Sequence, residues 1–282
     1  MRRPLLQTAF VYACVALFAG SVLLPVAWLA IMSVSSNNDL TAIPLRWLPE
    51  HVDLSRYATI LRLAPHSPGE TFIYAFRNSL AAAGGATLAS LIAGIPAAYA
   101  LSRFPKRGRS GLLYVVLATY LLPPVAIVLP VYITLGQLQL LNSVIGLVIV
   151  YCTILLPFMT WLLKSNFDAV PLEIEHAAAM DGARLWGTIR HVTLPLARAG
   201  VATSVLFALL MAWDEFFYAL ILTSNAQAKT LTVAIADFAS GRTTDYSLIS
   251  AAGLLASLPP VVIAVFLQRA LVQGLASGGV KG

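Results

Sequence analysis

Few side chains in this sequence could hold a proton, a metal ion or a nucleophile in a productive place. Of twelve carboxylates only Asp214 and Glu215 fall inside a long apolar run, and His51, His66, His176 and His191 all lie outside such runs. Cys14 and Cys152 both sit in apolar surroundings; two cysteines make neither a disulfide framework nor a four-ligand zinc site, and they read as small hydrophobes. No lysine follows a glycine, which excludes a phosphate loop of the G-x-x-x-x-G-K type. H-E-x-x-H, C-x-x-C, G-x-G-x-x-G and G-x-S-x-G are also missing, so neither a metal enzyme nor a hydrolase has its constellation. No catalytic residue, no metal and no resident cofactor are expected.

The elements that carry these residues are membrane elements. The 282 residues are 59% apolar and 11% charged, with a mean hydropathy of +0.82, against about 45–50% and roughly 25% in soluble chains. A bilayer core needs about 20 apolar helical residues, and six stretches qualify: about 8–34, 78–101, 111–135, 144–163, 200–222 and 248–271. The first is too long for a removable signal peptide and reads as a span. The spacing therefore predicts an all-α membrane protein of six spans, a single domain covering 1–282. The net charge of +6 is spread between the hydrophobic blocks and forms no stripe, so nucleic acid is not an expected partner. Twelve basic residues, including Arg2, Arg3, Arg103, Lys106, Arg107 and Lys281, flank one side and six the other. By the positive-inside rule both termini are cytoplasmic.

Every span except the fifth contains proline. Proline kinks a helix by removing a donor, which leaves room for a transport pathway, although proline is also commoner in membrane helices generally. Gly85, Ala89, Ala93 and Ala97 recur at intervals of four in span two, a pattern that lets helix backbones approach; this face is expected to be buried. In span five, 100° per residue groups Asp214 with Phe207, Met211 and Tyr218, and Glu215 with Ala208, Ala212 and Ala219. Glu215 is thus expected to bond between helices and Asp214 to face a water-lined pathway, since a lone carboxylate costs about 2.5–3.5 kcal/mol at mid-membrane on insertion scales. A purely structural role for both acids stands beside that reading. The outer segment 35–77 fits either a docking surface or a simple connection.

Between spans four and five, 168–198 reads as a helix–turn–helix. Pro171 suits a first helical position, Glu173 and Glu175 complement the helix N-terminus, and Gly182 suits the stop. Leu185, Trp186, Ile189 and Val192 then form one apolar face before Pro195 breaks the helix. On physics alone this could be an amphipathic connector lying on the membrane.

The residues Ala177-Ala178-Ala179-Met180-Asp181-Gly182, followed by Ile189 and Leu194-Pro195, resemble the EAA loop of permease subunits in binding-protein-dependent ABC importers. Asn78-Ser79-Leu80, Ala97-Ala98-Tyr99-Ala100-Leu101-Ser102-Arg103-Phe104, Trp213-Asp214-Glu215-Phe216 and the closing Val280-Lys281-Gly282 are similar to the maltose-type, carbohydrate branch. His176 stands at the motif's glutamate, one residue after Glu175, and Asp214 replaces the usual asparagine of W-N-E-F. The resemblance implies a transmembrane subunit that imports a sugar or sugar-like solute across the bacterial inner membrane by alternating access. It implies a second permease subunit, two cytoplasmic ATPases that bind ATP and magnesium, and an external solute-binding protein. Glu175, His176, Ala177, Ala178, Asp181 and Gly182 would contact the ATPase, with Gly182 making the turn. A permease for an amino acid, peptide or polyol phosphate is the nearest rival, followed by a secondary carrier, for which no inverted repeat is visible, and a membrane scaffold.

Overall fold

In the computed structural model, residues 5–103, 109–240 and 244–279 are described; the terminal motif 280–282, Phe104 and the basic residues Arg2, Arg3, Lys106, Arg107, Arg242 and Lys281 lie outside them. Helices follow in the order α1 (Leu5–Ser33), α2 (Asn37–Thr41), α3 (Ser55–Leu61), α4 (Pro68–Arg103), α5 (Arg109–Ala118), α6 (Pro124–Gln137), α7 (Val144–Asp168), α8 (Leu172–Met180), α9 (Leu185–Thr188), α10 (Leu194–Leu196), α11 (Arg198–Trp213), α12 (Phe217–Leu222), α13 (Leu231–Ala239) and α14 (Tyr246–Gly279). Among the described residues there is no strand. The chain divides into two units, one reaching Ile73 with Ala234–Leu258 added, the other Tyr74–Val233 with the chain from Pro259 onward.

In the first unit, segment 35–57 is fastened to the start of α14. Arg56 pairs with Asp245 at 3.0 Å, the Ser247 hydroxyl donates to the Ser35 carbonyl at 2.6 Å, and Tyr57 donates to the Ser33 hydroxyl at 2.7 Å. The segment 35–77, read from the sequence as an outer loop, includes the first turns of α4, which begins at Pro68. Its start is a capping arrangement: the Glu70 amide donates to the Ser67 hydroxyl and the Glu70 carboxylate accepts from the His66 amide at 2.6 Å. The signal Ser67-Pro68-x-Glu70 was present in the sequence.

In the second unit α4 packs on α7. Its buried stripe is Ala82, Ala86, Ser90 and Ala98, with Gly94 beside them, and a side chain at Gly94 would meet Leu163 and Met159. This corrects the predicted stripe by one position: Ala89, Ala93 and Ala97 are exposed, while Gly85 alone touches α7, where an added Cβ would come within 3.1 Å of Val148. Both stripes are small, but Thr87 and Ser90 are polar and flank or occupy the inner one, whereas Leu88 and Ile92 adjoin the outer one and suit lipid.

Two predicted spans are interrupted. Tyr114–Leu121 meets Pro124–Gln137 at 96°, because Pro123 and Pro124 cannot donate backbone hydrogen bonds and Pro124 starts a new helix. The stretch 111–135 is therefore a bent pair, and α6, with 14 residues, rises only about 21 Å. The fifth run breaks at 214–216 between α11 and α12. Among the described residues four single helices, Gln7–Ser33, Pro68–Arg103, Val144–Asp168 and Tyr246–Gln268, are long and apolar enough to cross a bilayer, and six spans result if each bent pair counts as one.

Candidate functional site

The loop predicted at 168–198 begins when α7 ends at Asp168 and Pro171 caps α8 with extended backbone. Helix α8 closes in a Schellman turn: Ala183 N–H donates to the Ala178 carbonyl at 2.9 Å and Gly182 N–H to the Ala179 carbonyl at 3.0 Å. Gly182 has φ +86, the left-handed conformation that glycine adopts without the Cβ penalty. His176, Ala177, Asp181 and Gly182 are exposed and Ala178 is half-buried. Met180, 84% exposed, Trp186, 64%, and Leu185 add an apolar surface around the turn.

The predicted apolar face after the turn is split. Ile189 is buried and Val192 half-buried, but Leu185 and Trp186 point outward. A π-helical stretch, Ile189–Thr193, follows, in which Leu194 N–H reaches back to the Ile189 carbonyl and advances the register of what comes after it by one residue. Pro195 does not break the helix; it lies within α10, and the bend of 84° falls at Ala197 before α11.

Glu175 is the buried member of the residues expected to contact the ATPase. Its carboxylate turns inward onto Arg103, the last residue of α4, with Nη2 to Oε1 at 2.9 Å and Nε to Oε2 at 3.0 Å. The Tyr99 hydroxyl donates to Oε2 at 3.0 Å and the Thr193 hydroxyl to Oε1 at 2.7 Å. Arg103 Nη2 also donates to the Phe167 and Val170 carbonyls at the end of α7. The Arg103 and Glu175 side chains are 8% and 6% exposed, and a buried carboxylate persists only with partners. Burial pushes the Glu175 carboxyl up, but the hydrogen bonds from Arg103, Thr193 and Tyr99 and the Arg103 charge outweigh it and hold the group below its ordinary value.

The other predicted constellation is taken apart by the break in span five. Asp214 ends α11, exposed, with its own amide donating to the Leu210 carbonyl. Glu215 caps the next helix: its carboxylate accepts from the Tyr218 amide at 2.8 Å and the Ala219 amide at 3.1 Å, satisfying the first turn of α12, while its carbonyl accepts from the Thr232 hydroxyl of α13 at 2.9 Å. Tyr218, beyond the break, is buried and lines a cavity of about 290 Å³ with Thr119, Tyr120, Pro124, Thr153 and Pro157. Half-exposed Met211, exposed Phe207 and Asp214 are not among its lining residues; Phe207 instead stacks edge-on to Phe158. The cavity gathers the bend at Pro124, the proline of α7 and the far side of the 214–216 break. Non-helical backbone at membrane depth is tolerated where it is buried in protein or lines a water-filled space.

Two motif residues prove to be fasteners. Asn78 donates to the Gln227 and Lys229 carbonyls at 2.7 and 3.0 Å, and the Ser79 hydroxyl accepts from the Leu231 amide at 2.8 Å. No sequence signal pointed to Asn142, whose left-handed backbone (φ 54) lets its side-chain oxygen accept from the Ser224 amide and hydroxyl, locking the end of α12. Among the described residues no group of three or more His, Cys, Asp or Glu could hold a metal ion.

A multi-spanning bundle with broken helices and a capped amphipathic loop between spans four and five defines a membrane transport component. The profile of the binding-protein-dependent transport system inner membrane component family matches residues 85–277. The sulfoquinovosyl glycerol transport system permease protein of Agrobacterium fabrum is 32% identical over 273 residues, covering 97% of this chain and 93% of that one. The trehalose transport system permease protein of Mycobacterium tuberculosis is 32% identical over 268 residues, covering 94% and 95%. A bacterial ABC transporter involved in the import of the acidic polysaccharide alginate shares the fold, with a TM-score of 0.77 at 22% identity, over 95% of this chain and 99% of that chain. This chain belongs to that family of ABC transporter permeases and is a multi-pass membrane protein.

Proposed function

We propose that this chain is one transmembrane subunit of an ATP-driven importer for a sugar or sugar-like solute, paired with a second permease, two cytoplasmic ATPases and an external solute-binding protein. The observation that carries the coupling is the loop 168–198, which presents the His176–Gly182 turn, Met180 and Trp186 outward while Glu175 anchors it from behind. ATP and magnesium are bound by the partner, and closure of the ATPase dimer would move α8 and switch the spans between inward-open and outward-open. The basic-residue asymmetry supports cytoplasmic termini and a cytoplasmic loop, in the inner membrane of a bacterium. The sugar assignment is supported by the names of similar permeases, among them the diacetylchitobiose uptake system permease protein of Streptomyces coelicolor, 28% identical over 268 residues. The cavity adds chemical support, because Tyr120 and Tyr218 offer aromatic faces and Thr119 and Thr153 offer hydroxyls, groups that suit the C–H faces and hydroxyls of a sugar ring. The test is ATP hydrolysis by the reconstituted complex across a panel of sugars, polyols and amino acids, each with the binding protein present. Stimulation confined to sugars is expected; stimulation by an amino acid alone would refute the solute class.

A further inference from the structure

One guanidinium gathers the root of the loop, beside the Ser102 hydroxyl, which donates to the Asp168 carboxylate that ends α7. Arg103 donates twice to Glu175 of α8, to the Phe167 and Val170 carbonyls ending α7, and through Nη1 to Ser102 at 3.2 Å within its own helix α4. Glu175 in turn holds Thr193, on the π stretch that leads through α10 into α11. Four elements thus meet at one bidentate ion pair that water scarcely reaches, with side-chain exposures of 8% and 6%. Bidentate arginine–carboxylate pairs fix orientation as well as distance, and breaking one partner of a buried pair leaves an uncompensated charge.

We infer that Arg103 and Glu175 are positioning residues for energy coupling: they form a strut that makes α8 and the inner ends of α4, α7 and α11 one rigid piece, so that a displacement applied to α8 reaches the spans undiminished. This rests on the reading of α8 as the ATPase docking element and deepens it. The π stretch belongs to the device, because its extra residue per turn accompanies the placement of the Thr193 hydroxyl on Glu175. Without the strut, the short segment Ala169–Pro171 would be left to carry the tie from α8 to α7, and α8 could tilt when pushed.

The test uses the assembled complex in lipid nanodiscs, with Cys14 and Cys152 replaced and nitroxides on cysteines at exposed Ile149 of α7 and exposed Glu173 of α8; the intervening part of α7 alone spans about 28 Å. With the native strut, the interspin distance is expected to be narrow and the same with and without ATP. Glu175→Gln and Arg103→Met are expected to broaden or shift it, and to lower solute transported per ATP hydrolysed at least tenfold while ATP hydrolysis continues. Should either variant fail to assemble, Thr193→Val, which cuts only the tie to the π stretch, is expected to broaden the distance and lower the same ratio to a smaller extent. Unchanged distances and an unchanged transport-to-ATP ratio in the variants overturn the strut. If the native protein recruits no ATPase, the coupling reading fails instead, and the distance distribution in the permease alone still decides the rigidity.

Discussion

Replacing Glu215 tests whether the interruption in the fifth run is held by its carboxylate. The carboxylate accepts from two first-turn amides, Tyr218 at 2.8 Å and Ala219 at 3.1 Å, and both of those residues are buried, at 3% and 0% exposure. In Glu215→Leu those amides lose their acceptor where water has little access; a buried unsatisfied donor costs about 1–3 kcal/mol, and loss of a helix cap typically costs about 1 kcal/mol. Because both costs fall on the same two amides, about 2–4 kcal/mol is expected for the pair of unsatisfied donors. Glu215→Gln keeps one acceptor oxygen without the charge and should cost about 1 kcal/mol. Thermal unfolding of the purified chain in detergent reads the difference: a 1 kcal/mol change moves Tm by about 2–4 °C in domains of 150–250 residues, so the leucine variant should melt roughly 4–16 °C lower and the glutamine variant roughly 2–4 °C lower. A Glu215→Leu protein melting within 1 °C of the native one would show that the break does not depend on this cap.

Glu175 has a depressed carboxyl in the folded chain, so its contribution is present above the ordinary carboxylate range near pH 4.3 and is lost as pH falls through the folded value. Glu175→Gln should therefore melt below the native protein at pH 7, with the gap narrowing as the pH falls below about 4; a gap independent of pH would contradict the ion pair. At Gly182 a Cβ would meet nothing within 4 Å, so Gly182→Ala should cost only the left-handed backbone penalty, about 1–2 kcal/mol, and Gly182→Asn distinctly less; equal losses in unfolding measurements would exclude that geometry. For topology, a cysteine at exposed Val52 should react with an impermeant reagent added to intact cells, and one at exposed His176 should not. Reversed labelling would invert the orientation.

The presence of long apolar helices and the position of the turn were readable in the residues because they depend on composition and local spacing. Uninterrupted apolar length marked α1, α7 and α14, and the alanine run ending at Gly182 marked α8, because a glycine stop is a backbone requirement that no neighbour alters. The direction of Glu175 was not readable, since which carboxylate of α8 turns inward depends on where Arg103 and Thr193 arrive from distant parts of the chain. The register of the small stripe in α4 was ambiguous for a related reason: both candidate stripes are small, and only the partner surface of α7 selects between them. The break at 214–216 contains neither proline nor glycine, so helical periodicity was carried through it. Two adjacent carboxylates in an apolar run nevertheless demanded donors, and the freed amides of an interrupted helix supply them to Glu215.

The most direct test of the account follows solute uptake and ATP hydrolysis together in proteoliposomes holding the complete complex, with the native chain and with Ala178→Asp. Uptake by the native chain should require both ATP inside the ATPase compartment and the binding protein opposite. Ala178→Asp, which places an unpaired charge on the proposed docking turn, should insert normally and lose at least nine-tenths of its uptake. Uptake driven by a proton gradient without nucleotide, or native rates in Ala178→Asp, would contradict the account.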